Sequence, residues 1–182
     1  EQSGLEGERG VPKSIAAYLA IDRFGRSPLP IIAAINGYCY GGGAALAISC
    51  DIRYASDTAS FRLPGAEYGL VVGAATLPRL VGAARAKELI FSAKKFDALE
   101  AERWGLVNKV CGDDDLLSEV ISLAEQIAKN STTAVKESKR VIDAATIDSN
   151  VGQLEDDINR GLRGSPDQAE RFLMATRRVT GK

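Results

Sequence analysis

The 182-residue sequence predicts an α/β fold on three observations. Two short apolar runs, residues 31–36 and 51–55, are typical of strands that are buried on both faces. Between them, a glycine triplet at positions 41–43 leads into a short apolar segment that predicts a buried helix. Beyond residue 116 the apolar residues recur at helical spacing. Strands and loops are therefore expected in the first half of the chain and helices in the second.

The first half contains short elements. Apolar positions at helical spacing predict a helix over 12–24, which the segment 25–28 ends with glycine and proline. Residues 56–82 are rich in glycine, proline and small side chains, so they predict a long structured loop of the kind that often carries sites. Helices over 83–92 and 99–104 and a strand over 106–110 follow.

The second half contains four predicted amphipathic helices. They cover residues 117–128, 133–145, 151–162 and 167–179. The run Asp113, Asp114 and Asp115 is interpreted as a charge cluster at a helix N-terminus rather than as a metal site. Ser165 is a candidate N-cap, with Pro166 in the first turn of the last helix.

Composition excludes several classes of function. The net charge of −1 gives no reason to expect nucleic acid or an anionic membrane as a partner, and no apolar run is long enough to cross a bilayer. The absence of histidine excludes Ser-His-Asp and Cys-His nucleophiles and histidine-ligated metals. Acid–base work must therefore fall to carboxylates, Tyr, Lys or Cys.

The three cysteines are far apart in the sequence and form no CxxC pair. Cys39, Cys50 and Cys111 therefore predict free thiols and no metal site. Free thiols favour a reducing compartment, the cytoplasm or an organelle matrix.

The triplet Gly41, Gly42 and Gly43 is the strongest candidate site. Glycine lets the backbone approach a ligand closely, and the first amides of a helix have no intrahelical acceptor. This arrangement suits an anion, or an oxygen that becomes anionic during a reaction. The alternative is a flexible turn without a ligand, although the apolar sequence on both sides indicates a turn rooted in the core.

Five ordered blocks resemble one family. They are the segment 30–55 around the triplet, 61–64, 69–70 with 77–82, 98–110, and 165–167. Together they resemble the crotonase (enoyl-CoA hydratase/isomerase) superfamily over residues 28–178. The resemblance implies a spiral of strand-strand-helix turns with a helical C-terminal region that forms trimers or dimers of trimers. The two parts would be residues 1–110 and 111–182.

The resemblance also implies a substrate and a site. Family members bind acyl-CoA thioesters, need no cofactor beyond the CoA of the substrate, and stabilise an enolate with two backbone amides. The second amide corresponds to Gly42. The substrate-binding positions that the resemblance implies are Gly41, Gly43, Tyr38, Tyr40, Ala45, Pro64 and Gly65.

Both ends of the chain bear on this resemblance. The family's first amide donor comes from an earlier strand whose motif this sequence lacks, and the chain has a single methionine, Met174. We therefore expect the native protein to be longer.

Near the C-terminus, the basic residues are Arg177, Arg178 and Lys182. They correspond to a region that sometimes contacts CoA phosphates in the family, and solvated surface charge is the favoured interpretation.

The sequence departs from the family at both usual glutamates, which correspond to Ala45 and Gly65. Neither side chain can move a proton. Glu67 is the nearest substitute, and the alternative is a glutamate that faces solvent or pairs within the loop. Tyr38, Tyr40 and Tyr68 could donate a proton to an enolate or serve only as pocket walls. Two hypotheses remain open: an enzyme with an atypical proton carrier, and a catalytically silent acyl-CoA-binding paralogue. A peptidase on the same fold is disfavoured because histidine is absent.

Overall fold

The computed structural model of the protein describes residues 21–180, apart from the side chains at positions 149, 179 and 180. Within this range the strands form two three-stranded sheets. One sheet has the order β1-β3-β6 and is parallel, while in the other β2 pairs parallel with β4 and β4 pairs antiparallel with β5. The strands are β1 (Ile32–Ile35), β2 (Tyr38–Tyr40), β3 (Ile52–Ser56), β4 (Ser60–Arg62), β5 (Phe96–Asp97) and β6 (Lys109–Cys111).

The strand predictions are confirmed in part. The runs 31–36 and 51–55 correspond to β1 and β3. The predicted loop over 56–82 is wrong in detail, because it contains β4, a 3-10 turn at Ala66–Tyr68 and a helix. The strand predicted over 106–110 starts later, at Lys109. The sequence did not separate β2 from the apolar run that precedes it, and no pattern indicated β5, because strands of two or three residues are too short for alternation to be visible.

Eight helices have both ends within residues 21–180. They are α1 (Gly42–Ser49), α2 (Leu77–Val81), α3 (Ala83–Ser92), α4 (Ala98–Arg103), α5 (Leu116–Ala128), α6 (Thr132–Thr146), α7 (Ser149–Leu162) and α8 (Pro166–Thr180). Residues 21–25 are also helical, in agreement with the end of the helix predicted over 12–24, whose remainder lies outside the described residues.

The core lies between the two sheets and the short helices α1 to α4. It includes Phe61 and Phe96, whose rings stack with centroids 5.5 Å apart, and the fully buried Leu77 and Leu89. The helix after the triplet is not buried all round as predicted: Ala44, Ala47 and Ile48 face the core, but Leu46 remains 37% exposed.

The helical half of the chain, α5 to α8, has helix boundaries within two residues of the predicted ones. It packs differently from the core. Asp113–Asp115 form a 3-10 turn that leads into α5, and Ser165 accepts the Gln168 amide at the start of α8 (3.2 Å), as predicted. Many of its apolar side chains are exposed in the single chain, among them Val141, Ile142, Val151, Leu154, Ile158, Phe172, Leu173 and Met174.

One buried cation fixes the C-terminal end of α1. Arg53 is 4% exposed, and its guanidinium donates to the carbonyls of Cys50 and Leu106, both at 2.6 Å. Burial lowers the pKa of Arg53 below its usual value. Because Cys50 is the C-cap of α1, this contact fixes the direction of the helix and hence the place of its N-terminus.

Candidate functional site

Parallel pairing brings the glycine triplet and Pro64 to one edge of the second sheet. Tyr40 at the end of β2 pairs with Arg62 at the end of β4, so the segments that follow both strands leave the same edge. The Gly41 amide donates to the Arg62 carbonyl at 3.1 Å, and the Cβ that Gly41 lacks would stand 3.9 Å from Pro64 Cγ. Gly41 has φ +51°, a conformation that favours glycine.

The first turn of α1 faces open space. Gly42 and Gly43 are exposed, and a Cβ added to either would meet no described atom within 4 Å. At this end of the helix the amides have no intrahelical acceptor and the helix dipole is positive. Gly43 also lines a cavity of about 400 Å³, together with Tyr38, Leu46 and residues of β1. The arrangement can therefore present backbone donors to an oxygen that gains negative charge.

The two positions at which the resemblance expects glutamate differ in the room they offer. Ala45 is half-buried in α1, and its amide closes the first turn on the Gly41 carbonyl at 2.9 Å. Gly65 is enclosed: a Cβ there would stand 3.0 Å from the Leu70 carbonyl oxygen and 3.0 Å from Val72 Cβ. The Val72 side chain thus takes the space of a residue-65 side chain, so the segment cannot accept a glutamate there without moving.

Glu67, the candidate substitute, is held by two cations. One oxygen pairs with Arg62, and the other accepts from Arg178 of α8 at 2.7 Å. Its side chain is 18% exposed, so it is neither a solvated glutamate nor a free one. Arg178 is a surface charge, 68% exposed, in agreement with the sequence interpretation, and its ion pair with Glu67 ties the end of α8 to the segment after β4.

The tyrosines of the candidate site have distinct surroundings. Tyr38 is 84% exposed and Tyr40 shares a hydrogen bond of 2.9 Å with Ser60, while the ring of Tyr68 lies 6.3 Å from that of Phe172. Tyr38 and Tyr40 also contact each other, with ring centroids 5.3 Å apart. Tyr40 and Tyr68 are therefore held by neighbours, while Tyr38 lines the cavity.

The cysteines are free, as predicted. Burial raises the pKa of Cys39 to about 12 and also raises the pKa of Cys50, so both thiols stay protonated at neutral pH. Asp51 makes structural hydrogen bonds, since its carboxylate accepts from the Ile31 amide and from Lys139, each at 2.7 Å.

Two residues that the sequence did not indicate hold the segment 70–76 from outside. Glu155 of α7 accepts the amides of Gly73 (2.8 Å) and Ala75 (2.7 Å). One helical turn later, Asn159 accepts the Val71 amide at 2.8 Å and donates to the Val71 carbonyl. Burial raises the pKa of Glu155, while these amide bonds lower it by a smaller amount. A segment whose amides have no partner within itself needs acceptors from elsewhere, but nothing in the sequence indicates which residues supply them.

Residues 21–180 contain neither a cluster of metal ligands nor a membrane-spanning helix. No group of three or more metal-ligating side chains lies together there, and no helix in this range is long and apolar enough to span a membrane.

Comparison with known proteins identifies the family of this chain. A family model described as enoyl-CoA hydratase/isomerase matches residues 14–172. The crystal structure of an enoyl-CoA hydratase/isomerase from Pseudoalteromonas atlantica T6c aligns with a TM-score of 0.84 and 32% identity, covering 95% of this chain and 71% of that one. The fold is that of the crotonase superfamily. Within it, the chain belongs to the enoyl-CoA hydratase/isomerase family.

Two curated relatives match part of the chain. The mevalonyl-coenzyme A hydratase of Aspergillus fumigatus is 46% identical over 114 residues, which is 61% of this chain and 42% of that protein. The short-chain-enoyl-CoA hydratase of Clostridium acetobutylicum is 46% identical over 116 residues, 62% of this chain and 44% of that protein. The alignments thus span less than half the length of these two relatives.

Proposed function

We propose that the protein acts on acyl-CoA thioesters and stabilises the thioester enolate with the Gly42 amide. One observation carries the proposal: the amides at the start of α1 lie beside open space and a cavity, on a turn whose first residue has a conformation that favours glycine. Membership of the family and the names of the relatives support the substrate class. No cofactor is needed for this chemistry beyond the CoA of the substrate.

The proposed role of Gly42 is electrostatic. When a proton leaves the carbon next to a thioester carbonyl, negative charge collects on the carbonyl oxygen. A fixed amide dipole stabilises that charge more than it stabilises the neutral ground state, which lowers the barrier. Loss of one such donor typically costs about 10²–10³ in rate.

The experiment removes the Gly42 N–H while keeping the helix. Gly42→Pro deletes the donor at the first helical position, where proline is tolerated, and Gly42→Ala keeps the donor as the matched control. The assay follows exchange of the α-protons of butyryl-CoA in D₂O, together with hydration of crotonyl-CoA. We expect Gly42→Pro to slow exchange about 10²-fold relative to Gly42→Ala at equal thermal stability. Equal exchange rates in the two variants would refute the role of the Gly42 amide.

The proton carrier is proposed to be Glu67. Ala45 and Gly65 cannot ionise, and Glu67 follows Gly65 by two residues. To take a proton, Glu67 has to release one of its cations, and Arg178 is the more exposed partner, at 68%. Glu67→Gln should then abolish α-proton exchange, whereas Arg178→Met should preserve it. Exchange that survives Glu67→Gln would exclude this carboxylate.

A second candidate function is a catalytically silent acyl-CoA-binding subunit. The enclosure of Gly65 favours it, because the segment has no room for the missing carboxylate. Tight binding of butyryl-CoA without α-proton exchange by the wild-type protein would support the silent binder over the enzyme.

The proposed assembly is a homotrimer or a dimer of trimers. The exposed apolar side chains of α7, Val151, Leu154 and Ile158, lie at helical spacing and form one stripe. Light scattering after size exclusion tests the assembly directly, and Leu154→Glu should shift the mass toward the monomer. A monomeric wild-type mass would refute it.

A further inference from the structure

The cavity beside the glycine triplet runs along the outer edge of β1. It is lined by every residue from Ile31 to Cys39, although the side chains of a strand alternate between its two faces. A cavity that contacts consecutive residues therefore lies at the edge of the strand, where the backbone is accessible. Within residues 21–180 β1 is an edge strand, because it pairs with β3 alone. One wall of the cavity is thus an open strand edge.

One face of α1 forms another wall of the cavity. Gly43, Leu46, Ala47 and Cys50 line it, and their spacing of three and four residues places them on the same side of the helix. Leu46 is 37% exposed although its helix is otherwise apolar and packed against the core. This exposure is explained by the cavity, which the Leu46 side chain lines.

The two ends of the cavity differ in access. At one end Gly43 directly follows the proposed donor Gly42, and it has no side chain to block entry. At the other end the cavity is lined by Cys50, the C-cap of α1, and by Phe24. Cys50 follows Gly43 by seven residues, which corresponds to about 10 Å along the helix axis. An extended alkyl chain advances about 1.3 Å per carbon, so this length fits about eight carbons.

The lining of the cavity suits the acyl end of a thioester better than its nucleotide end. Among the lining residues that the structure describes there is no Lys, Arg, Asp or Glu, and most of the side chains are aliphatic or aromatic. The phosphates of a nucleotide would find no cationic partner there. An alkyl chain, in contrast, gains affinity by leaving water for such walls.

We propose that the acyl chain of the substrate lies in this cavity and that Leu46 determines which chain lengths bind. The inference rests on the proposed acyl-CoA function and names a specificity-determining residue of that same site. Leu46 follows Gly42 by four residues, which is about 6 Å along the helix. With the thioester oxygen at the Gly42 amide, Leu46 lies beside about the fourth or fifth carbon. A larger side chain at position 46 therefore obstructs longer chains and leaves shorter ones unaffected.

The test uses the full chain and five ligands, each titrated by calorimetry: free CoA and acetyl-, butyryl-, hexanoyl- and octanoyl-CoA. Leu46→Trp fills the cavity midway along its length, and Leu46→Phe adds less volume. Leu99→Trp is the matched control, because Leu99 of α4 is 58% exposed and does not line the cavity. Thermal unfolding identifies a variant that does not fold. If Leu46→Trp fails to fold, Leu46→Phe decides the outcome.

The expected result is a loss of affinity that begins beyond four carbons. The wild-type Kd should fall from butyryl-CoA to octanoyl-CoA by up to about fourfold for each buried methylene. In Leu46→Trp the Kd of octanoyl-CoA should rise about tenfold or more, while the Kd values of free CoA, acetyl-CoA and butyryl-CoA stay within about twofold of the wild type. Leu46→Phe should give a smaller rise for octanoyl-CoA. Leu99→Trp should match the wild type with every ligand.

Other outcomes overturn the inference in distinguishable ways. If the wild type binds thioesters more tightly than free CoA, but folded Leu46 variants keep its ratio of octanoyl-CoA to butyryl-CoA Kd, the acyl chain does not lie beside Leu46 and the proposed function stands. Weaker binding of free CoA by Leu46→Trp would mean that the CoA portion occupies the cavity, which refutes the placement of the acyl chain. If the wild type does not distinguish thioesters from free CoA, the proposed function fails, and the role of Leu46 fails with it.

Discussion

Two glycine-containing segments meet at the candidate site, and they use glycine for opposite reasons. In the triplet, Gly42 and Gly43 have no atom of residues 21–180 within 4 Å of an added Cβ, whereas Gly65 and Gly73 of the second segment have neighbours at 3.0 Å and 2.8 Å. The first segment keeps space open in front of a helix, and the second fills space between elements. A glycine-rich pattern alone does not reveal which of these applies. Substitutions at these positions should therefore distinguish glycines that leave room for a ligand from glycines that allow close packing.

The largest effect is expected for Gly73→Ala. Its φ of +76° strains an L-residue by about 1–2 kcal/mol, and the new methyl presses on Ile48, which is 4% exposed, at a further cost of about 1–3 kcal/mol. Gly82→Ala is the matched control, because Gly82 has the same φ and no described neighbour within 4 Å. Urea denaturation should show Gly73→Ala to be the more destabilised variant. Equal losses would mean that conformation alone requires glycine at position 73.

A smaller loss is expected for Gly65→Ala, which has φ −50° and no conformational strain. Its methyl meets the Leu70 carbonyl and Val72, so overpacking should cost about 1–3 kcal/mol. Gly37→Ala is the control, because its added methyl would meet none of the atoms in the described part of the chain within 4 Å. A Gly65→Ala protein as stable as the control would show that residues 70–72 move easily to make room for the added methyl group.

Glu155 should make stability depend on pH. Its folded pKa is raised above the ordinary 4.5, so the folded state binds the proton more tightly than the unfolded state. Stability therefore falls as pH rises from about 4.5 through the raised pKa, and each tenfold difference in proton affinity between the two states contributes about 1.4 kcal/mol. Glu155→Gln should remove this fall in urea titrations from pH 4 to pH 8 (roughly the range over which such carboxyls titrate). A stability difference between Glu155→Gln and the wild type that is constant over this range would contradict the raised pKa.

The smallest effect on stability, and of opposite sign, is expected for Gly43→Ala. Position 43 is helical and open, so alanine should raise the free energy of unfolding by up to about 1 kcal/mol. The methyl would nevertheless stand in the cavity, so binding of butyryl-CoA should weaken. Gly152→Ala in α7, which likewise meets no atom of residues 21–180 within 4 Å, should give the stability gain with unchanged binding. Stronger binding by Gly43→Ala would show that the triplet does not face the ligand.

The features that could be predicted from the sequence are those that depend on neighbours in the chain. The helices α5 to α8 carry apolar residues at a repeating spacing, so local pattern defined them within two residues. The glycine triplet was also visible locally, because a strand, three glycines and a helix are adjacent in the chain.

Glu155 and Asn159 could not be found this way. Their partners Gly73 and Val71 lie 82 and 88 residues earlier, and an exposed helix face rich in acids looks the same whether or not a loop rests on it. The enclosure of Gly65 was hidden for the same reason, since it depends on how residues 65–72 fold back on themselves, with the Leu70 amide donating to the Gly65 carbonyl at 2.8 Å. Only tertiary contacts decide such positions.

The dependence of residues 70–76 on α7 also sets an order in time. A ribosome adds about 5–20 residues per second, so the 82 residues between Gly73 and Glu155 take roughly 4–16 s to synthesise. Until α7 has been synthesised and has folded, the amides of Val71, Gly73 and Ala75 lack the acceptors that Asn159 and Glu155 supply. The contacts that hold residues 70–76 therefore form only after the glycine triplet has long been synthesised.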